Sequence, residues 1–260
     1  MHNDSWFKSW FSSPDYLRLY EHRDIRDAKK LISLLFRNIK LAKGASVLDI
    51  ACGNGRHSIL FARKGYKTTG LDLSAFLIKQ AEKKRTNEYS RFKSDLKFEI
   101  KDMRDIDHSG EFDLIVNLFT SFGYFKSVSD NEKVIKGISR ALKANGIFFF
   151  DFLNSTYLEK NLVPFDIKKF KGKSAIQTRT ISGGFVTKEI YIFSGRKPNH
   201  YYPEMFHFTE RIRLFSFNDL KKMFGKHHLK IKKVFGDYSG TKFNEKKSKR
   251  IIIIAQKSAR

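Results

Sequence analysis

Cysteine is almost absent from this chain, with Cys52 the single example among 260 residues. One thiol excludes an intramolecular disulfide and leaves no cysteine cluster to hold zinc. Long apolar runs are absent too. The longest, Ile147 to Phe150 and Ile251 to Ala255, are strand-sized, and the stretch from Met1 to Tyr20 has no apolar core of a signal peptide. These absences predict a cytoplasmic chain with no membrane partner. Acidic side chains are scarce, 27 against 51 Lys plus Arg, which gives a net charge of +24. The surplus is uneven: residues 158 to 260 carry +16 and residues 1 to 157 carry +8. Such a field attracts polyanions such as RNA, although lysines scattered by composition alone give the same number. No internal repeat or low-complexity tract interrupts the chain, whose length suits one large domain or one domain with an elaboration.

The richest stretch runs from Val47 to Ser58, Val-Leu-Asp-Ile-Ala-Cys-Gly-Asn-Gly-Arg-His-Ser. Val47, Leu48 and Ile50 read as a buried strand that breaks into a glycine turn, and a helix opens at Arg56. Gly53 and Gly55 let backbone pass close to a bound molecule, and helix N-terminal amides face the turn. The third position of a GxGxxG fingerprint is Ser58, so the dinucleotide pattern is incomplete. Asp49 decides between ligands. A carboxylate at the strand end repels a pyrophosphate and attracts a ligand carrying an ammonium and a sulfonium, as S-adenosylmethionine does.

Strand-like and helix-like segments alternate from residue 46 to residue 151, the pattern of a parallel sheet covered by helices. Strands are expected at 46 to 50, 67 to 71, 96 to 100, 113 to 118 and 146 to 151. Helices are expected near 56 to 64, 74 to 85 and 130 to 142, with Ser74 and Asp130 as N-caps and Asn145-Gly146 closing the last. Four segments follow. Residues 1–40 form an N-terminal helical segment covering the site, and 41–151 the cofactor-binding core. Residues 152–215 form an antiparallel insert of about three strands, a substrate lid, with Gly183-Gly184 as its hairpin turn; 216–260 add a helix capped by Ser216 and two strands that complete the sheet.

More acids stand at successive strand ends. Asp72, in Gly70-Leu71-Asp72-Leu73, can take both ribose hydroxyls of an adenosine cofactor. Asp102 follows the third strand with Met103 beside it, suited to the adenine amino group and ring. The fourth strand runs into Asn117-Leu118-Phe119-Thr120-Ser121-Phe122-Gly123-Tyr124-Phe125, which places Asn117 and Phe119 beyond the carboxyl end of the sheet, facing the reacting methyl.

With these residues the chain resembles the class I S-adenosylmethionine-dependent methyltransferases, of the small stand-alone type, over roughly residues 40 to 155. The resemblance implies a Rossmann-like, doubly wound, mostly parallel seven-stranded α/β sheet whose last strand is antiparallel. It implies that Asp49, Ala51, Gly53, Gly55 and Arg56 surround the methionine end, that Asp72 and Leu73 hold the ribose, and that Asp102 and Met103 hold the adenine, with Asn117 nearby. Where that family often has a third glycine after the turn, this chain has His57. The Pro-Pro-Tyr that follows Asn or Asp in enzymes acting on exocyclic amines of bases is missing after Asn117, which disfavours adenine N6-type methylation.

A small-molecule acceptor is expected to meet Tyr16, Tyr20, Arg23, Phe119, Tyr124 and His207, and Tyr124, His200 and His207 are candidate bases. No metal is expected. RNA as acceptor, through the basic C-terminal half, and a cofactor-binding protein without catalysis stand as alternatives, as a monomer or a homodimer.

Overall fold

The computed structural model describes residues 5–21, 25–88, 95–194 and 204–259. In chain order the elements are α1 (Trp6–Trp10), α2 (Pro14–Leu19), α3 (Ile25–Asn38), β1 (Ser46–Ile50), α4 (Arg56–Arg63), β2 (Lys67–Asp72), α5 (Ala75–Glu88), β3 (Leu96–Ile100), β4 (Phe112–Asn117), α6 (Val128–Ala141) and β5 (Leu142–Leu153). They continue with α7 (Ser155–Lys160), β6 (Phe165–Phe170), β7 (Lys173–Ser182), β8 (Phe185–Ser194), β9 (Met205–Arg213), α8 (Phe217–Lys226), β10 (Leu229–Phe235) and β11 (Arg250–Lys257).

A seven-stranded sheet in the order β10-β11-β5-β4-β1-β2-β3 forms the centre. β1 pairs in parallel with β2 and β4, and β4 with β5; β11 alone runs antiparallel, to β5 on one side and β10 on the other. Period-two alternation divides the phenylalanines of β5 between the faces: Phe148, Phe150 and Phe152 join one apolar cluster with α6 and α8, and Phe149 joins the other with α3 and α4. Burial of each such ring contributes roughly 1.5–3 kcal/mol. The strand order reverses between β1 and β4, so a crevice opens beyond their carboxyl ends. Register puts Ile50 beside Asn117, which brings the two loops after these strands to one level.

β6, β7, β8 and β9 form a separate antiparallel sheet in that order. Gly183 (φ +58°) and Gly184 (φ +77°) make the expected two-residue turn, with Ser182 opposite Phe185. The sheet has four strands rather than three. β6 escaped notice because Phe165 and Ile167 point to solvent, so its alternation has no buried side. Two end signals also differ from expectation. α6 is capped by Ser127, whose Oγ accepts from the N–H of Asp130, so Asp130 is a first-turn residue instead. Asn145-Gly146 lies inside β5 as an irregularity between the Phe112–Leu142 and Leu114–Ile147 pairs, because the helix has already ended at Ala141. Ser74 and Ser216 cap α5 and α8 as expected, the latter in a reciprocal capping box with Asp219.

Candidate active site

β1 delivers Asp49 to the bottom of the crevice, where it is buried and its Oδ2 accepts from Ser58 Oγ of α4 at 2.6 Å. Burial pushes its carboxyl up to about 7, against the lowering effect of the Ser58 hydrogen bonds. The turn that follows is left-handed at Ala51 (φ +55°), Gly53 (φ +58°) and Gly55 (φ +77°). The two glycines serve different ends. A Cβ on Gly53 would meet nothing within 4 Å, so its backbone faces open space, whereas one on Gly55 would lie 2.6 Å from the Phe98 ring. Gly55 therefore packs the turn onto β3, and it lines neither of the two cavities at this site.

Asp72, at the end of β2, is buried and accepts from the N–H groups of Gly53 and Ser74, each at 2.8 Å. Burial raises its carboxyl above the usual range, and the two backbone donors oppose the rise. A carboxylate accepts about four hydrogen bonds, so two sites remain after these. Asp102 caps a short 3-10 turn (Met103–Asp105) and grips Arg104, with Nη2 to Oδ2 at 2.7 Å. Burial raises its carboxyl, but the Arg104 hydrogen bonds and charge outweigh this and hold it below the usual range. Asp72, Leu73, Asp102 and Met103 line a cavity of about 60 Å³ roofed by Phe7 and Phe11 of the N-terminal segment.

A second cavity, about 1180 Å³, adjoins it, and Phe11, Tyr16, Ala51, Gly53, Ser121 and Tyr124 line both. Its floor holds Asp49, Arg56, His57 and Phe119, and its far wall is the four-stranded sheet. Phe119 (φ +56°) and Thr120 (φ +65°) form a strained turn after β4, at a cost of roughly 1–3 kcal/mol each. Asp151 of β5 holds that turn. Its Oδ2 accepts from the N–H of Phe119 at 2.9 Å and from Tyr238 Oη at 3.1 Å, its backbone carbonyl accepts from the N–H of Thr120 at 3.0 Å, and Arg250 pairs with Oδ1 at 2.8 Å. The Phe119 ring has Arg56 at 4.8 Å, Tyr238 at 5.7 Å and the tilted ring of His57 at 5.0 Å.

A family model described as a methyltransferase domain matches residues 41–202. The chain belongs to the methyltransferase domain family. A putative methyltransferase, YqeM, of Bacillus subtilis is 35% identical over 116 residues, 44% of this chain and 45% of that protein. The dTDP-3-amino-3,4,6-trideoxy-alpha-D-glucopyranose N,N-dimethyltransferase of Streptomyces venezuelae is 29% identical over 105 residues, 40% of this chain and 41% of that one. The chain thus spans about half the length of the curated relatives it matches. In fold, an S-adenosylmethionine-dependent methyltransferase from Clostridium acetobutylicum superimposes with a TM-score of 0.76 at 23% identity, over 92% of this chain and 96% of that one. The sugar N-methyltransferase KedS8 from a Streptoalloteichus species does so with a TM-score of 0.68 at 17% identity, over 92% and 90%.

The Clostridium acetobutylicum structure is that of a protein dependent on S-adenosylmethionine, and the structure of the amino pentose methyltransferase CalS10 from Micromonospora echinaspora, similar in fold at 17% identity, holds bound S-adenosylmethionine. The residues present fit it chemically: Gly53 leaves open space beside the turn, and Asp72 keeps two acceptor positions for ribose hydroxyls. The smaller cavity is narrow, with the rings of Phe7 and Phe11 against it.

Other expected site residues fall elsewhere. Asn117 lines neither cavity; its Nδ2 donates to the carbonyls of Ile50 and Ser121, tying the end of β1 to the loop after β4. His207 is on the face of β9 turned away from the cavity, exposed, 2.6 Å from Glu189 and stacked on Tyr191 at 4.5 Å. Strand parity explains this, since the inner face of β9 carries Phe208, Glu210 and Ile212. Tyr124 is in place, but burial pushes its hydroxyl far above the usual phenol range, which keeps it protonated and removes it as a base. Arg23 and His200 lie outside the described residues.

The methyltransferase fold also brings in a residue that sequence reading missed. Glu210 Oε1 accepts from Tyr20 Oη at 2.6 Å and from Trp10 Nε1 at 2.7 Å, while Lys188, directly opposite on β8, meets Oε2 at 2.7 Å. Lys188 also contacts the Tyr20 hydroxyl. This cluster ties the N-terminal segment to the four-stranded sheet across the larger cavity. The signal was an acidic residue on the otherwise apolar alternation of Phe206, Phe208 and Ile212.

Proposed function

We propose that the protein transfers the methyl group of S-adenosylmethionine to a small-molecule acceptor held in the larger cavity. The observation that carries this reading is the shared rim: one small cavity lined by strand-end acids joins one large cavity through Ala51, Gly53, Tyr16 and Tyr124. The relatives named above support a small acceptor, since one acts on a nucleotide-linked amino sugar and another is a sugar N-methyltransferase. On this reading the N-terminal segment and the four-stranded sheet form the lid of the acceptor site.

The bound cofactor supplies an electrophilic methyl carbon on a sulfonium. Asp49, when ionised, would hold its ammonium and sulfonium end from the end of β1, and Asp72 would take the ribose hydroxyls on its two remaining acceptor positions. Asp102 lines the adenine end together with Met103 and Leu73. Tyr16 and Tyr124 line the junction of the cavities and would exclude water from a transition state in which charge disperses. Held there by Asp49 and Asp72, the cofactor would supply a methyl carbon for an acceptor's lone pair, its carbon–sulfur electron pair remaining on sulfur. The protein's contribution is to hold the two partners in line. An acceptor that is already a free amine needs no base before attack and releases its proton afterwards, which agrees with a junction where Tyr124 stays protonated.

The test is transfer of isotope-labelled methyl from S-adenosylmethionine into host-cell extract, separated into low-mass, RNA and protein fractions. Label in the low-mass pool is expected. Nuclease-sensitive label in RNA would overturn the small-molecule reading, and tight binding of S-adenosylhomocysteine without transfer to any pool would overturn catalysis.

A further inference from the structure

β6 is an edge strand, hydrogen-bonded to β7 on one side only. Register and one backbone bond determine which of its main-chain groups point outward. Phe165 is opposite Thr178, and the carbonyl of Pro164, one place earlier, accepts from the N–H of Arg179 at 2.8 Å. Inward and outward groups alternate along an antiparallel pair. The N–H and C=O groups of Asp166, Lys168 and Phe170 therefore face β7, and those of Phe165, Ile167 and Lys169 face away from the sheet. The two-residue turn at Lys171 (φ +45°) and Gly172 (φ +75°), closed by Phe170 opposite Lys173, has the same parity. Among the described residues, none makes a hydrogen bond to the outward groups of these three.

Proteins usually shorten, cover or bend such an edge. The outer edge of β10, for example, is bridged by Lys242 at Phe235. β6 instead presents apolar side chains, with Phe165 53% and Ile167 56% exposed. Lys168 lines the larger cavity, so Phe165 and Ile167, of the other parity, stand on the face of the sheet turned away from it. Ile167 is opposite Ile176, and Ile176 opposite Tyr191, so an apolar row crosses that face and stops at the edge.

A second copy of the chain continues it. Antiparallel pairing of β6 with itself about a two-fold axis at Ile167 sets Ile167 opposite Ile167, Phe165 opposite Lys169, and Asp166 opposite Lys168. Phe165, Ile167 and Lys169 then meet only one another, and all their outward N–H and C=O groups are bonded. Other registers are worse. An axis at Asp166 sets two aspartates face to face and an axis at Lys168 two lysines, and like charges directly opposite destabilise a sheet. Axes at Phe165 or Lys169 overlap little of the strand. Asp166 keeps its bonds from Gln177 and Arg179 in the pairing about Ile167, since a carboxylate accepts about four.

We propose that the protein is a homodimer in which two copies of β6 pair antiparallel about Ile167, fusing the two four-stranded sheets into one. Because Lys168 lines the larger cavity, the seam runs along the rim of both acceptor sites and brings Asp166 of the second copy beside that lysine.

The experiment is sedimentation velocity on the full chain over about 1–100 µM protein, since dimers form by mass action, at about 0.15 M salt to screen the repulsion between two +24 chains. Wild type is expected to pass from monomer to dimer across that range. Ile167→Pro deletes an outward N–H that β7 does not use, so it is expected to keep the wild-type circular dichroism spectrum and to weaken the dimer about tenfold or more. Cys52 is buried, so a cysteine placed on β6 reports by itself. Ile167→Cys is expected to form a covalent dimer on mild oxidation, its two Cα atoms lying about 5.5 Å apart in this pairing, within disulfide reach. Lys169→Cys, whose two copies lie about 13 Å apart along the seam, is expected to do so about tenfold more slowly or not at all. A wild type that stays monomeric throughout would overturn the proposal, as would a dimer indifferent to Ile167→Pro or equal cross-linking at the two positions. Should Ile167→Pro fail to fold, the two cysteine variants decide by themselves.

Discussion

Asp49→Asn should abolish a pH dependence of S-adenosylhomocysteine binding that the wild-type protein shows on either side of neutrality. With a carboxyl at about 7, the ionised fraction is roughly one tenth at one pH unit below that value and nine tenths at one unit above. If only the carboxylate attracts the ligand's ammonium, the apparent Kd falls about tenfold between pH 6 and pH 8, equivalent to about 1.4 kcal/mol. The same shift has the opposite sign for stability. The folded carboxyl is raised above its ordinary 3.8, so the folded state keeps its proton longer than the unfolded chain. Stability is therefore lost as pH rises from about 4 to about 7, by up to about 4 kcal/mol over the whole window. Asparagine can still accept from Ser58 Oγ and has no charge to bury, so its advantage in urea midpoint over wild type should grow from pH 5 to pH 8. Calorimetry at pH 6, 7 and 8 on both proteins measures the first effect and urea titration the second. A wild-type Kd that stays flat across this range, or a slope that persists in Asp49→Asn, would refute the placement of this carboxylate against the ligand's cationic end.

Asp72→Ala should weaken S-adenosylhomocysteine binding about 10- to 100-fold with an unchanged circular dichroism spectrum, since each charge-assisted hydrogen bond lost is worth about 1.5–3 kcal/mol; unchanged affinity by calorimetry would remove Asp72 from the site. Gly53→Val should act similarly, because a branched side chain at φ +58° is strained and projects into the space the ligand needs. Asp151→Ala should cost about 3–5 kcal/mol in urea unfolding by stranding Arg250 and releasing the Phe119–Thr120 turn, and a loss below about 1 kcal/mol would show that this carboxylate is not what holds the turn.

The parallel core was legible because its signals are local. Val47, Leu48 and Ile50 announce a buried strand, the glycine turn ends it, and Asp72 and Asp102 stand where two more strands stop, each within a dozen residues of its own cue. The acceptor side was harder because its residues meet only through long-range pairing. Tyr20 and Trp10 reach Glu210 across some 190 and 200 positions, and Glu210 faces the cavity only because β9 has one strand parity and not the other. The same parity turned His207 outward. Asn117 was placed at the right strand end, and its lining neither cavity while its amide closes the gap between two loops depends on the carbonyls of Ile50 and Ser121. Gly55 shows the limit from the other direction: its positive φ was foreseeable from the turn, but its contact with Phe98 was not.

The position of β11 bears on how this protein is made. Of the seven strands of this sheet it is the last in sequence, yet it occupies an interior place, with β5 on one side and β10 on the other. Until residues 250 to 257 are available, β5 offers an unpaired edge beside Phe148, Phe150 and Phe152, and β10 has no partner to join it to the core. Such an edge recruits strands from other chains. The nascent protein thus passes through a stage in which most of the cofactor crevice has been translated but one flank of its sheet is sticky. Cells that stall synthesis shortly before Arg250 should accumulate aggregated rather than merely inactive chains, and the lysines of β10, Lys230, Lys232 and Lys233, guard the outer edge only once that final strand has slotted in.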